Sequence, residues 1–219
     1  MRQMPLAILV ALVAATAVAC SSGVQSAQTS IQPSGAARMS PAEQARADSG
    51  RMPYTAADVH FMQGMIHHHA QAIVMANWAQ THGARPDVKI LAQRIDVAQR
   101  DEIAFMQRWL RERHLDAPDA LEHAEMGHDM PMSASDMMPG MLTGEQMKQL
   151  DAARGPEFDR LFLTGMIQHH QGAITMVSQL FATPGGGEEL YVFRFASDAN
   201  VDQQTEIERM RLMLGDSTR

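Results

Sequence analysis

Cysteine is almost missing from this chain. A single Cys, at position 20, excludes an intramolecular disulfide framework and any zinc site built on thiolates. Lysine is nearly as scarce, with two residues among 18 basic ones, and the formal charge is −7. A nucleic-acid binder carries a basic face, so that class is excluded from the partners expected here. Aromatic residues reach only 5%, which disfavours a β-sandwich rich in Tyr and Trp. No Gly-rich phosphate loop follows a strand pattern, and no Ser or Cys is placed by motif for nucleophilic catalysis. What the chain has in excess is methionine, 19 in 219 residues, together with 10 histidines. His, Met and carboxylates are therefore the metal chemistry at hand.

Residues 1–20 read as an address. Arg2 precedes an apolar run from Leu6, too short for a comfortable membrane span, and small residues lead to Cys20. The lone Cys directly after Ala17-Val18-Ala19 resembles a bacterial lipoprotein signal, in which cleavage leaves a lipid-bearing Cys20. An ordinary secretory signal cut near Ala19 is the other reading, and both place the mature protein outside the cytoplasm. Lipid anchorage in the cell envelope, through Cys20, is the expectation. Residues 21–53 are rich in Ser, Ala, Gln, Gly and Pro without apolar periodicity, the composition of a flexible tether.

The body, residues 54–214, is an internal duplication. Residues 58–75 align with 159–176 at a shift of 101, with ten identities in eighteen positions. The shared residues are Asp, Phe, Gly-Met-Ile, His-His, Ala-Ile and Met. A second echo, Gln99-x-x-Glu102-Ile103 against Gln203-x-x-Glu206-Ile207, follows at a shift of 104. Repeat 1 spans 54–115, a linker 116–142 and repeat 2 143–214. Apolar residues recur at helical spacing in four long segments. Thr55-x-x-Asp58 and Thr143-x-x-Gln146 read as capping boxes, the latter opening a short extra helix. The second segment is predicted to run from about Pro86 to His114, and the fourth from about Glu188 to Leu214. Two amphipathic helical hairpins bury their faces most economically as an all-α four-helix bundle with pseudo-twofold symmetry.

Midway along each inner stripe the residues turn polar, at His68, His69, Gln99 and Glu102 and again at His169, His170, Gln203 and Glu206. Buried imidazoles and carboxylates need partners. Met65 stands one turn before His69 and Met166 one turn before His170, while Met75 and Met176 lie two turns after the His pairs. Imidazole with thioether is a soft donor set, suited to Cu(I) and Ag(I) rather than Mg or Ca. Taken singly, Met75 and Met176 also serve as core filler, because Met packs irregular gaps well. Glu102 and Glu206 fit either as ligands or as outer acceptors that fix imidazole tautomers. The linker adds a separate soft-ligand run, Met126-Gly-His128-Asp-Met130-Pro-Met132, on a chain whose Pro and Gly preclude a long packed helix.

The doubled Gly-Met-Ile-x-His-His-x-x-Ala-Ile-x-Met motif, each copy followed by Gln-x-x-Glu-Ile, resembles the family catalogued as domain of unknown function 305. Gly140-Met141-Leu142-Thr143 belongs to the same resemblance. It implies a ferritin-like helical bundle in a bacterial envelope, and in some members copper binding through His and Met. Gln168 departs from the pattern, standing where the first copy has His67. The expected function is non-enzymatic binding of copper, as Cu(I), for sequestration or tolerance. A ferritin-like di-metal oxidase is the enzymatic alternative, but such bundles use Glu-x-x-His pairs, absent from these stripes. A metal-free envelope interaction module is the third reading.

Overall fold

The computed structural model describes residues 53–119 and 138–216. Cys20 and the linker residues Met126, His128, Met130 and Met132 lie outside the described residues. Among the described residues there are five helices and no strands: α1 Ala56–Thr81, α2 Pro86–Arg111, α3 Gly144–Ala152, α4 Pro156–Ala182 and α5 Leu190–Asp216. It is an all-α protein of two long antiparallel hairpins, α1–α2 and α4–α5, that meet through their first helices. The short α3 packs on α4 and α1. Among the described residues no helix is long and apolar enough to cross a membrane.

Local chemistry sets the helix ends. Both capping boxes form: the Thr55 hydroxyl accepts from Asp58 N–H, whose carboxylate accepts from Thr55 N–H, and Thr143 and Gln146 do the same for α3. Helix α2 stops at Arg111, three residues short of the predicted His114 and well before Pro118. The cause is a left-handed residue, His114 at φ +56°. Its N–H reaches Arg111 O and the Leu115 N–H reaches Leu110 O, both at 3.0 Å, the pair of bonds of a Schellman turn. Helix α5 starts at Leu190 rather than Glu188 because Glu189 is its cap, its carboxylate accepting from Tyr191 and Val192 N–H.

The predicted inner stripes are buried, with Glu102 and Glu206 at their half-exposed edge. Helix α1 is covered on more than one stripe, since Met62, Ile66, Ala70, Ile73 and Val74 are buried as well. As the central helix it packs against α2, α4 and α3 at once.

The pseudo-twofold is carried by exchanged contacts. Met176 Cε lies 3.4 Å from where a side chain on Gly64 would begin, and Met75 Cε lies 3.3 Å from that point on Gly165. Each repeat's methionine thus fills the space left by the other repeat's glycine. Asp58 accepts from Gly187 N–H at 2.7 Å, and its counterpart Asp159 accepts from Arg85 N–H at 3.3 Å. Each shared Asp therefore ties the start of one repeat to the hairpin turn of the other. That explains its duplication structurally.

Candidate metal centre

Adjacent helix positions point about 100° apart, so one His of each pair faces the other hairpin and one faces its own. His68 and His169 meet between α1 and α4, their ring centroids 3.8 Å apart. His69 turns to α2 and donates from Nε2 to Glu102 at 2.6 Å; His170 turns to α5 and donates to Glu206 at 2.5 Å. Centroids within each pair are 6.4 and 6.1 Å apart. All four side chains are fully buried. One interior therefore holds four imidazoles, two at the pseudo-twofold and two flanking it.

The hydrogen bonds fix the tautomers. His68 Nε2 lies 3.0 Å from Pro139 O, and His169 Nε2 lies 2.9 Å from His68 O. A carbonyl only accepts, so Nε2 carries the proton in both rings. Burial drives the His68 pKa down to about 3, helped by the neighbouring His69 and opposed by the Pro139 bond. His169 is likewise pushed well below the ordinary range, first by burial and then by His68. Both rings are neutral at physiological pH, with a lone pair on Nδ1. The Nδ1 atoms of His68, His69, His169 and His170 are all buried without a hydrogen-bond partner among the described residues. Gln99 and Gln203, one per repeat and three residues before Glu102 and Glu206, are buried and also leave side-chain atoms unmatched among the described residues.

A strap at the end of the linker breaks the symmetry. Pro139 O takes the His68 bond, and Gln71 pairs with the Leu142 backbone, donating to its carbonyl at 2.9 Å and accepting from its N–H at 2.7 Å. Gln168 donates to Gly140 O and Met141 O, both at 3.3 Å. Gly140, at φ +76°, makes the turn, and Gly172 lets it approach: a Cβ there would fall 1.9 Å from Pro139 O. Met138 is carried in with the strap, its Sδ 3.3 Å from where a Gly64 side chain would begin.

The structure thus brings the four histidines together and sets Glu102 on His69 Nε2 and Glu206 on His170 Nε2. Met65 and Met166 are fully buried, and Met75 and Met176 fill core space against the opposite glycines. His67 is exposed, and its counterpart Gln168 secures the strap. Sequence reasoning missed Gln71 and Pro139. The mismatched pair Gln71/Gly172 inside an otherwise matching motif was the available signal, since an asymmetric ligand, here the strap, requires asymmetric positions. Among the described residues no three His, Cys, Asp or Glu side chains form a ready metal cage. A metal held here would need thioethers to complete its donors.

A duplicated helical hairpin around a shared histidine interior defines the class. The chain belongs to the family described as domain of unknown function (DUF305), whose model matches residues 58–214. Similar solved structures include a DUF305 fragment from Deinococcus radiodurans, at TM-score 0.59 and 31% identity, covering 75% of this chain and 99% of that one. A DUF305 protein of Streptomyces coelicolor, named as secreted, aligns at TM-score 0.62 and 27% identity over 74% of this chain and 94% of its own. CopM in its Cu(II)-bound form aligns at 0.58 and 29% identity, covering 73% and 96%, and has also been solved with Cu(I) and with silver. Uncharacterized protein L153 of Acanthamoeba polyphaga mimivirus is 40% identical over 58 residues, 26% of this chain and only 38% of that protein.

Proposed function

We propose that this protein binds a soft metal ion, Cu(I) foremost, outside the cytoplasm, holding it for sequestration or tolerance rather than for catalysis. The observation that carries the reading is the set of four buried Nδ1 lone pairs that no donor meets among the described residues. Leaving such a group unsatisfied costs about 1–3 kcal/mol, and a cation that prefers nitrogen and sulfur relieves it. The residues present fit such an ion. His68 and His169 are neutral without competition from protons, and Met65 and Met166 supply buried thioethers. Glu102 and Glu206 then act from the outer shell, fixing His69 and His170 through Nε2 and raising the basicity of Nδ1. The copper- and silver-bound forms of CopM support the choice of metal. The linker residues Met126, His128, Met130 and Met132 are proposed as a second, sulfur-rich donor set.

Export and anchorage through Cys20 belong to the same proposal. They are supported by the placement of the lone Cys after Ala17-Val18-Ala19 and by a relative named as secreted. The test is competition of the full chain with a chromophoric Cu(I) chelator, beside loading with Cu(II), Zn(II) and Fe(II). Replacing His68, His69, His169 and His170 by Ala should lower the Cu(I) affinity at least tenfold. Unchanged Cu(I) binding by that variant would refute the histidine site. Retention of iron with oxidase turnover would establish the enzymatic alternative, and retention of no metal by the parent would establish the interaction module.

A further inference from the structure

One end of the molecule carries an apolar patch unconnected with the histidines. Phe181 ends α4, and Leu190, Tyr191 and Phe193 begin α5; all four are between 42% and 55% exposed. The other large exposed apolar side chains among the described residues, Tyr54, Ile90, Val97, Val201 and Leu212, are not adjacent in sequence to one another. The patch is built by the turn between the helices. Gly187, at φ +72°, lets its backbone lie against the Phe181 ring, where a Cβ would fall 2.5 Å from ring carbon. Phe181 and Phe193 pack together at 5.7 Å, and a groove of about 590 Å³ opens along the turn. Monomeric proteins rarely leave such a group of large apolar side chains contiguous without a use.

The chain outside the described residues says what covers it. Residues 1–52 join the fold at Pro53, and Thr55 Cγ2 lies 3.1 Å from where a Gly185 side chain would begin, in the patch turn itself. The 33 residues after Cys20 are too poor in apolar side chains to fill the patch themselves. A flexible chain of 33 residues has a root-mean-square span of about 30 Å. A bilayer holding the N-terminus therefore faces this end at an effective concentration of order millimolar, so a weak contact suffices. Phe, Tyr and Leu are side chains that favour the bilayer interface. Glu188 in the groove and the net negative charge make a zwitterionic surface the better fit than an anionic one.

We propose that Phe181, Leu190, Tyr191 and Phe193 form a membrane-resting face that seats this end of the bundle on the lipid interface and stands the long helices away from it. The proposal rests on the membrane anchorage proposed above, and the experiment separates the two. The full chain is reconstituted into phosphatidylcholine vesicles with or without brominated acyl chains, as Phe193→Trp and, for the far end of α5, as Leu212→Trp. Some 19 residues of helix separate the two positions by roughly 28 Å. The emission added by Phe193→Trp should fall at least twofold in brominated vesicles, that added by Leu212→Trp should not, and Phe181→Ser should diminish the quenching at position 193. If the chain floats with vesicles but both positions are quenched alike or not at all, anchorage stands and the resting face is wrong. If the chain does not float, both are wrong. A parent that sediments as a dimer without vesicles, made monomeric by Phe181→Ser, would assign the patch to a second copy and overturn the proposal.

Discussion

Burial decides the protonation of His68 before any ligand arrives. With its pKa taken down to about 3, the ring stays neutral in the fold, whereas in the unfolded chain it takes up a proton near pH 6.5. His169 is shifted in the same direction. Between the two values the unfolded state binds more protons, so stability falls as pH drops below about 6.5. The metal-free protein should accordingly show its urea midpoint decline from pH 7 to pH 5, and the decline should flatten in His68→Gln. A midpoint independent of pH over that range would mean that the ring finds a proton-accepting partner. Gly172 supplies a second residue-scale test. Ala is the better helix former by about 1 kcal/mol, yet its Cβ would meet the backbone of Pro139. Gly172→Ala should thus destabilise by about 1–3 kcal/mol in urea. Gly165→Ala, facing the flexible end of Leu142 at 3.0 Å, should cost less.

At the level of elements, the hairpins are joined by more than apolar contact. Glu189, 1% exposed, caps α5, accepts from the Trp109 indole at 3.2 Å and pairs with Arg113 at 3.1 Å. Arg113 in turn lies over the Trp109 ring, 4.1 Å from its centroid. One carboxylate therefore ties the end of α2 to the start of α5. Removing one partner of a buried ion pair leaves the other charge uncompensated, at about 3–5 kcal/mol. Glu189→Ala should lower stability by that order in a denaturant titration, far more than Glu157→Ala, whose Arg160 pair is exposed. None of this was legible beforehand. The four long helices, the capping boxes and the polar belt were, because periodicity and capping are local. The end of α2 was not, because a histidine at φ +56° makes a turn that sequence assigns by habit to glycine. Glu189 fell inside the predicted fourth helix with no role assigned, since its partners Trp109 and Arg113 lie 80 and 76 residues away.

For the molecule as a whole, duplication explains why the histidines gather. Each hairpin alone would leave His68 or His169 facing solvent; the pseudo-twofold brings the two rings together, tilted by 38°, and seals both. The sequence disclosed the pairing of repeats but not its consequence for acidity. An unperturbed imidazole competes with metal below about pH 6.5, so sequence alone suggests a bundle site that empties by pH 5 while thioethers of the linker keep their metal. Burial of His68 and His169 argues against the first half. His68 and His169 meet no proton competition until far lower pH, and Met65 and Met166 never do. A variant with residues 120–137 deleted, which leaves every described helix intact, should therefore retain its bundle-bound Cu(I) almost unchanged between pH 7 and pH 5. The check is a chelator-competition titration on that variant, with circular dichroism at each pH to confirm that the helices persist. Loss of metal along a curve centred near pH 6.5, with the helices intact, would show that ordinary, solvent-reached imidazoles hold the ion, and His68 and His169 would have to be dropped from the donor set.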